Sequence, residues 1–359
     1  MNEAKHLGAG LCAILSVAPW LGAGPQDRLS SRSGGGVLEV PDLSQPVLRP
    51  RGVTAEIDSA IKKGLAYLVR SQDRSGAWRS AGRSGSYPCA MTSLAGVAIA
   101  MSGSSTTRGP YSPTLRNAVT FLAARSGPRG LITVMQEEAR PMYGHGFGTM
   151  FLAQIYGMEE DPTAQKRLHR VLTNAIKLIA RSQSAAGGWL SAPDDGGDEG
   201  SVTVTQVQGL RSCRNAGIAV PKATIDNAMR YLDLSMRPDG GIAYRARQFG
   251  SSRPPITAAA VVCWYNAGWY DYPNAGKALR YCKANILPGG SRSGVSGHYY
   301  YAHLYFAQAM YLSGAQHWDD YFPKMREYFV DQQNDDGSWT GDSVGPVYGT
   351  AVALIILQL

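Results

Sequence analysis

A short motif decides the fold: KGLAYL at residues 63–68, then Gln72, then GAW at residues 76–78. Its ending recurs twice, and in all three copies Gly follows Gln by four positions and Trp follows it by six. The two further copies are Gln183-Gly187-Trp189 and Gln333-Gly337-Trp339. Degenerate copies stand at Met236-Gly240-Ile242, at Ser126-Gly130-Ile132 and at Gly289-Gly290. Self-similarity at wide intervals is the signature of a repeat architecture.

A second series of glycines alternates with the first, and each member closes an apolar run of helical length. The pairs are Ser102-Gly103, Tyr156-Gly157, Ala216-Gly217, Ala267-Gly268 and Ser313-Gly314. Glycine is favoured just after a helix because that position needs a left-handed backbone. Each repeat is therefore predicted to be a helix, a glycine-rich loop, a second helix and a glycine stop.

The two helices of each repeat differ in pattern. The first is amphipathic, as in the stripe Ile57, Ile61, Leu65 and Leu68, and one of its faces should be wet. The second is apolar nearly all round, which is typical of a buried helix. The second helices are predicted at 91–101, 147–155, 202–210, 256–265, 299–312 and 347–357. Six wet and six dry helices predict an all-α (α/α)6 toroid, with six inner helices inside six outer ones.

The N-terminal segment differs from the repeats. Residues 7–21 are apolar, follow Lys5 and precede small residues at 22–24. This run is short for a membrane span, so residues 1–23 are predicted to be a signal peptide or an N-terminal anchor. Residues 24–53 are rich in Gly, Ser, Pro and Arg and are predicted to be a flexible linker to a toroid at 54–359. An exported protein is expected, in the periplasm, the cell envelope or outside the cell.

Charge and cysteine content narrow the function classes. The formal net charge is +8, without a block of consecutive Lys or Arg, which favours a solvated basic surface over a nucleic-acid groove. Such a surface permits weak attraction to anionic membrane lipid or polysaccharide. No CxxC pair occurs, so no metal and no cofactor is predicted. No feature of the pattern indicates an oligomeric state.

The motif at residues 63–78 resembles the QW repeat of squalene and hopene cyclases, and Gln183 and Gln333 match its second half. The chain thus resembles the prenyltransferase and squalene-cyclase repeat family over about Thr54 to Leu359. This resemblance implies a toroid of paired helices and a hydrophobic, isoprenoid ligand inside it. It is weakly specific for function, because one fold hosts unrelated activities.

An acidic run offers the strongest candidate for chemistry. Asp194, Asp195, Asp198 and Glu199 precede the inner helix predicted to start near Ser201. A carboxyl shielded in an apolar cavity can act as an acid, so Asp198 and Glu199 are the catalytic candidates. A cap on the helix dipole is the alternative, since the acidic motif of the cyclases falls out of register, on Thr203 and Val204.

Other polar and aromatic residues lie near the predicted starts of inner helices, which should gather at one end of the ring. The candidates for ligand binding are Tyr143, His145, Thr203, Gln206, His298, Tyr299, Tyr301 and Tyr348. The zinc ligands of protein prenyltransferases would fall on Ala259, Val261 and Ala307, so the family's zinc site is not expected.

Two functions follow as hypotheses. The first is a cyclase-like or transferase-like enzyme that binds a hydrophobic isoprenoid ligand in the central cavity. The second is a non-catalytic exported toroid whose loop-bearing end binds a glycan, a peptide or a protein. That partner would be a component of the cell envelope. The enzyme hypothesis requires a deep apolar tunnel with an acidic residue at its end. The binding hypothesis does not require such a tunnel.

Overall fold

The computed structural model describes residues 54–82, 85–247, 250–290, 295 and 297–359. The predicted signal peptide or anchor at 1–23 and the predicted linker at 24–53 lie outside the described residues. Twelve helices form within the described part of the chain. They are α1 (Ala55–Ser71), α2 (Pro88–Ala100), α3 (Ser112–Ala124), α4 (Pro141–Met158), α5 (Pro162–Arg181), α6 (Gly200–Asn215), α7 (Lys222–Ser235), α8 (Pro254–Asn266), α9 (Pro273–Asn285), α10 (Tyr299–Leu312), α11 (Ala315–Asp331) and α12 (Pro346–Leu357).

The odd-numbered helices form the outer layer. In α5 the apolar stripe that contains Leu168, Leu172 and Ile179 is buried, whereas Lys and Arg occupy the other face. Asp161 caps this helix by accepting hydrogen bonds from the amides of Thr163 and Ala164, both at 3.1 Å. The outer helices thus have one wet side, as the amphipathic pattern predicts.

The even-numbered helices form the inner layer, and all but α10 are longer than the apolar runs indicate; α10 has the predicted bounds. All thirteen residues of α2 are buried, and so are all thirteen of α8. The apolar runs predicted starts at Met91 and Phe147, but α2 starts at Pro88 and α4 at Pro141. Proline is well suited to the first helical position because it has no amide hydrogen to leave unsatisfied. The predicted starts were therefore late by about one to two turns.

The inner helices form a closed ring. Each packs against the next, and α12 returns to pack against both α10 and α2. The Gln358 side chain, just after α12, donates to the Ala98 carbonyl of α2 at 3.0 Å. In the outer layer, Gln333 Nε2 donates to the Ala60 carbonyl of α1 at 2.9 Å. These bonds join the last repeat to the first, and the predicted (α/α)6 toroid is confirmed.

The repeated Gln and Trp join neighbouring repeats. Gln72 Nε2 donates to the Gly76 carbonyl of its own loop and to the Thr114 carbonyl of the next outer helix, both at 3.0 Å. Trp78 Nε1 donates to the Leu68 carbonyl at 2.8 Å, and the indole is 1% exposed. Gly76 has φ +88°, and a Cβ there would lie 2.4 Å from the Asn117 carbonyl oxygen. The motif is therefore a structural joint between repeats.

The glycines after the inner helices mostly behave as predicted. Gly103, Gly217, Gly268 and Gly314 have positive φ values of 82° to 102°. Gly157 differs, because α4 continues through it to Met158. None of the described helices combines the length and the apolarity that crossing a bilayer requires.

Candidate functional site

One position recurs in every inner helix and determines which face of that helix points outward. In α6 the Thr203 hydroxyl accepts from the Trp189 amide of the preceding loop at 3.0 Å. In α4 the equivalent residue is His145, whose Nδ1 accepts from the Ile132 amide at 3.2 Å. We call this the loop-binding position. In five inner helices the residue at this position accepts from a loop amide; these residues are Thr92, His145, Thr203, Thr257 and Thr350. In α10 the equivalent residue is His303, whose Nδ1 lies within hydrogen-bond distance of the Tyr321 hydroxyl of α11.

His145, Thr203 and His303 consequently face the outer layer. Burial lowers the pKa of His145 from 6.5 to about 4. His303 Nδ1 lies 2.8 Å from the Tyr321 hydroxyl of α11, and burial lowers the pKa of His303 to about 3. Both histidines are therefore neutral near pH 7. This corrects the expectation for His145 and Thr203, which hold loops and do not line the interior.

Three other candidates also lie outside the interior. The Tyr299 hydroxyl accepts from the Gly290 amide at 3.1 Å, and its ring packs on Tyr328 of α11. Gln206 Nε2 donates to the Met142 carbonyl at 2.8 Å across the α4–α6 seam. That seam is tight, since a Cβ on Gly146 would lie 2.7 Å from the Gln206 amide nitrogen. His298 is exposed and precedes the first turn of α10.

The inward face follows from the loop-binding position. Residues are about 100° apart around a helix, so positions two before, two after, five after and nine after it point into the ring. The position two before the loop-binding position carries Tyr143 on α4, Ser201 on α6, Tyr301 on α10 and Tyr348 on α12. The next carries Phe147 on α4 and Tyr305 on α10. Over the six inner helices, five of the twelve residues at these two positions are aromatic; the others are Ala90, Leu94, Ser201, Thr205, Pro255, Ala259 and Val352.

These phenols come close together although they lie far apart in sequence. Burial raises the pKa of Tyr301 well above its ordinary value, and the neighbouring phenols of Tyr305, Tyr143 and Tyr348 raise it further. The rings of Tyr301 and Tyr305 meet edge to face, with centroids 5.0 Å apart. Among the described residues, neither of these two hydroxyls bonds a third residue, and the two are close enough to interact with each other. The cluster is neutral and offers hydroxyls to a ligand.

Glu199 supplies the charge at this end of the ring. Its side chain is 3% exposed, and it stands just before α6. Glu199 Oε1 accepts from the Tyr143 hydroxyl at 2.8 Å and from the Ser201 hydroxyl at 3.3 Å. Glu199 Oε2 accepts from the Tyr244 hydroxyl at 2.5 Å. The carboxylate is therefore surrounded by three hydroxyl donors, and it makes no capping bond to the α6 backbone.

Hydroxyl contacts continue from Glu199 toward the interior. The Tyr143 and Ser201 hydroxyls lie 2.7 Å apart, and their two protons can make two of the three possible hydrogen bonds among Tyr143, Ser201 and Glu199. Burial raises the pKa of Tyr143, and the Glu199 carboxylate raises it further. Tyr143 therefore stays a neutral phenol while it donates to Glu199. A proton from a ligand beside Tyr143 could reach Glu199 through this hydroxyl.

The other acidic candidates lie nearer the surface. Asp198 is partly buried, and its Oδ1 accepts from the Ala246 amide at 3.2 Å. Asp194 is exposed and lies 3.9 Å from Arg129, also exposed, and such a pair contributes little to stability. Asp195 is exposed too. Of the four acidic residues, Glu199 alone combines burial with contact to the inward-facing phenol.

Sequence reasoning missed Tyr244 and Ser201, and it missed a second buried carboxylate, Glu138. Glu138 is 1% exposed and accepts from the Cys89 amide at the start of α2 at 2.7 Å. Asp342 likewise accepts from the Tyr300 amide of α10 at 2.9 Å. Glu138 and Asp342 each stand shortly before the proline that begins an inner helix. That spacing could have identified both carboxylates from the sequence. Tyr244 carries no such signal, because only folding brings it to Glu199.

Within the described ranges, no three His, Cys, Asp or Glu side chains lie close enough to hold a metal ion. The four cysteines there, Cys89, Cys213, Cys263 and Cys282, are buried free thiols. Burial raises the pKa of each thiol, and that of Cys213 reaches about 12. They therefore behave as small buried hydrophobic groups.

Comparison with family models finds no match, and comparison with curated protein sequences finds none either. Solved structures do match. The type II terpene cyclase MstE from Scytonema aligns with a TM-score of 0.59 and 14% identity, over 84% of this chain and 97% of that one. The GH76A α-1,6-mannanase from Salegentibacter sp. HEL1_6 aligns with a TM-score of 0.62 and 9% identity, over 84% and 98% of the two chains.

A third match is a protein from Actinoplanes, with a TM-score of 0.58 and 16% identity, over 84% of this chain and 98% of that one. MstE has been solved with geranylgeranyl dihydroxybenzoate as substrate, and the mannanase with α-1,6-mannotriose. At such identities the likeness concerns the fold. The chain is therefore an α/α toroid of the architecture that the terpene cyclase and the mannanase share.

Proposed function

We propose that the protein binds a largely apolar, isoprenoid-like small molecule inside its inner ring and transfers a proton at Glu199. The observation that carries this proposal is the position of Glu199. Its buried carboxylate contacts Tyr143, which faces a ring interior lined by phenols, by apolar side chains and by the polar face of α6. That polar face carries Ser201, Thr205, Gln208 and Ser212.

The geometry suits a proton acceptor. Tyr143, Ser201 and Tyr244 can each donate a hydrogen bond to Glu199, and a carboxylate accepts such bonds without a proton of its own. We therefore assign Glu199 as the base and Tyr143 as the hydroxyl that relays the proton. The acid role that the sequence suggested for Glu199 and Asp198 is not part of this proposal.

The aromatic lining supports a ligand that develops positive charge. The faces of aromatic rings attract cations, and Tyr301, Tyr305 and Tyr348 lie around the proposed site. A buried carboxylate nearby adds to this attraction in a medium of low dielectric constant. Both features fit an isoprenoid ligand that binds as a cation and then loses a proton through Tyr143 to the Glu199 carboxylate.

The test combines ligand identification with two matched variants. The native protein is purified without detergent, and bound lipid is extracted and identified by mass spectrometry. We expect Glu199→Gln to keep the ligand but to slow its turnover by at least about 100-fold, because general base catalysis contributes that much. Glu138→Gln is the control, since it also alters a buried carboxylate but should lower only the stability.

An extract without any apolar molecule, together with unchanged turnover in Glu199→Gln, would refute the proposal. The second candidate is then a non-catalytic toroid that binds a glycan, a peptide or a protein.

We also propose a cellular location for the protein. The apolar stretch at 7–21 after Lys5 supports export, and the net charge of +8 supports weak attraction to an anionic envelope surface. Determination of the mature N-terminus and fractionation of the cell test the two points.

A further inference from the structure

The inward face of α4 changes character along its length. Tyr143, Phe147, Met150 and Gln154 share this face, on the side opposite His145. Gln154 lies eleven residues beyond Tyr143, which places it about 16 Å deeper in the ring at about 1.5 Å per residue. Gln154 is 7% exposed, and both Nε2 and Oε1 are buried without a hydrogen-bond partner in the described structure.

A second unpartnered amide lies at the same depth. Asn266 stands nine positions after Thr257 in α8, as Gln154 stands nine after His145 in α4. It is 4% exposed, and the described residues give its Nδ2 no partner. Helix α6 lies between α4 and α8 and packs against both of them. At the equivalent position α6 carries the buried Ser212.

Three other amides on or just after the inner helices are bonded through Nε2, although Gln206 Oε1 has no partner among the described residues. Gln308 Nε2 donates to the Leu304 carbonyl at 2.7 Å, and Gln358 Nε2 donates to Ala98 and Leu354. A buried amide without a partner is unfavourable, and such groups are rare in native proteins. The polar atoms of Gln154 and Asn266 therefore call for an external partner.

We propose that this deep end of the ring is a polar subsite that binds a hydroxyl group at the far end of an apolar ligand. Gln154 Oε1 accepts a hydrogen bond, whereas Gln154 Nε2 and Asn266 Nδ2 donate. A hydroxyl both donates and accepts, so it can donate to Gln154 Oε1 and accept from Asn266 Nδ2. Phe147 and Met150 cover the apolar stretch between Tyr143 and Gln154 on α4.

The inference rests on the proposed function, because it places the ligand in the same interior. It adds the orientation of the ligand, with the hydroxyl near Gln154 and the reacting carbon atoms near Tyr143. It also adds a class, since a hydrocarbon without a polar end would leave both amides unpartnered.

The test uses two probes, farnesol and β-farnesene, which share a carbon skeleton and differ in the terminal hydroxyl. Each is delivered from cyclodextrin, and its dissociation constant is measured by titration calorimetry. We expect the wild type to bind farnesol about tenfold more tightly, the effect of one or two added hydrogen bonds. Gln154→Leu and, independently, Asn266→Leu should bring the ratio to within about twofold.

Both variants remove an unpartnered polar group, so we expect them to fold. Gln358→Leu is the control, since its amide is already bonded; it should lower the melting temperature and keep the tenfold preference. Equal binding of the two probes by the wild type, or a preference unchanged in Gln154→Leu, would overturn the subsite and leave the proposed function standing. Binding of neither probe would overturn both.

Discussion

Two neighbouring loops each bury one carboxylate, and they use it differently. Glu138 lies in the loop before α4, where it accepts from the amides of Cys89 and Val134 and from the Thr133 hydroxyl. Glu199 lies in the loop before α6, where every donor is a hydroxyl. A backbone amide cannot turn away from its acceptor, whereas a hydroxyl can rotate and exchange its proton. Glu138 therefore suits structure, and Glu199 suits chemistry.

The largest expected effect tests this difference through stability. Glu138→Ala leaves one buried and one part-buried backbone amide without an acceptor, and we expect a loss of about 3–5 kcal/mol in the free energy of unfolding. Glu199→Ala should cost only about 1–2 kcal/mol, because the Tyr143 and Ser201 hydroxyls can then bond each other. Urea denaturation of the two variants measures both values. Equal losses would contradict the division of roles.

A second prediction uses the histidine that holds the same loop as Glu138. The pKa of His145 is lowered to about 4 in the folded protein, against 6.5 in the unfolded chain. The contribution of neutral His145 to the free energy of unfolding is complete above pH 6.5. It is lost as the pH falls toward 4, because the unfolded state then binds more protons than the folded state. The loss approaches about 3 kcal/mol.

His145→Thr restores the residue that four other repeats use at this position. It should cost about 1–2 kcal/mol at pH 7 through the lost volume. It should also flatten part of the stability profile between pH 6.5 and pH 4, measured by denaturation at several pH values. His303 keeps its own share of the slope, since its pKa is lowered as well. A profile parallel to that of the wild type would show that His145 is not the titrating group.

The smallest expected effect concerns the outermost hydroxyl at Glu199. Tyr244→Phe removes the 2.5 Å bond to Oε2 and should cost about 1 kcal/mol of stability. Tyr143→Phe removes a bond of the same kind to Oε1, but it should also slow turnover, because Tyr143 relays the proton. The ratio of turnover rates in the two variants is the measurement. Equal rates would remove Tyr143 from the proposed relay.

Much of the fold could be predicted from local patterns. The spacing of Gln72, Gly76 and Trp78 recurs because each copy makes the same bonds to its own loop and to the next outer helix. The alternation of amphipathic and apolar helices predicted the two layers, since burial follows hydrophobic periodicity. The starts of inner helices such as α4 were placed late, because the helix includes Pro141 and polar residues after it.

The site could be predicted only in part. Tyr143, Tyr301, Tyr348 and Glu199 were selected for their nearness to helix starts, and the structure brings the three tyrosines together and joins Glu199 to Tyr143. His145 was selected on the same grounds, yet it lies two residues from Tyr143 and thus about 200° around the helix. Nearness along the chain does not distinguish the inward face from the outward one.

The sequence by itself determined the number of helices, their pairing and the residues that join the repeats, because these depend on short-range periodicity and turn chemistry. The tertiary structure alone decided which polar groups face the interior. That choice depends on the bond from each loop amide to Thr203 and its equivalents, and on closure of the ring through Gln333 and Ala60. Such contacts join residues far apart in the chain, and no local pattern encodes their direction.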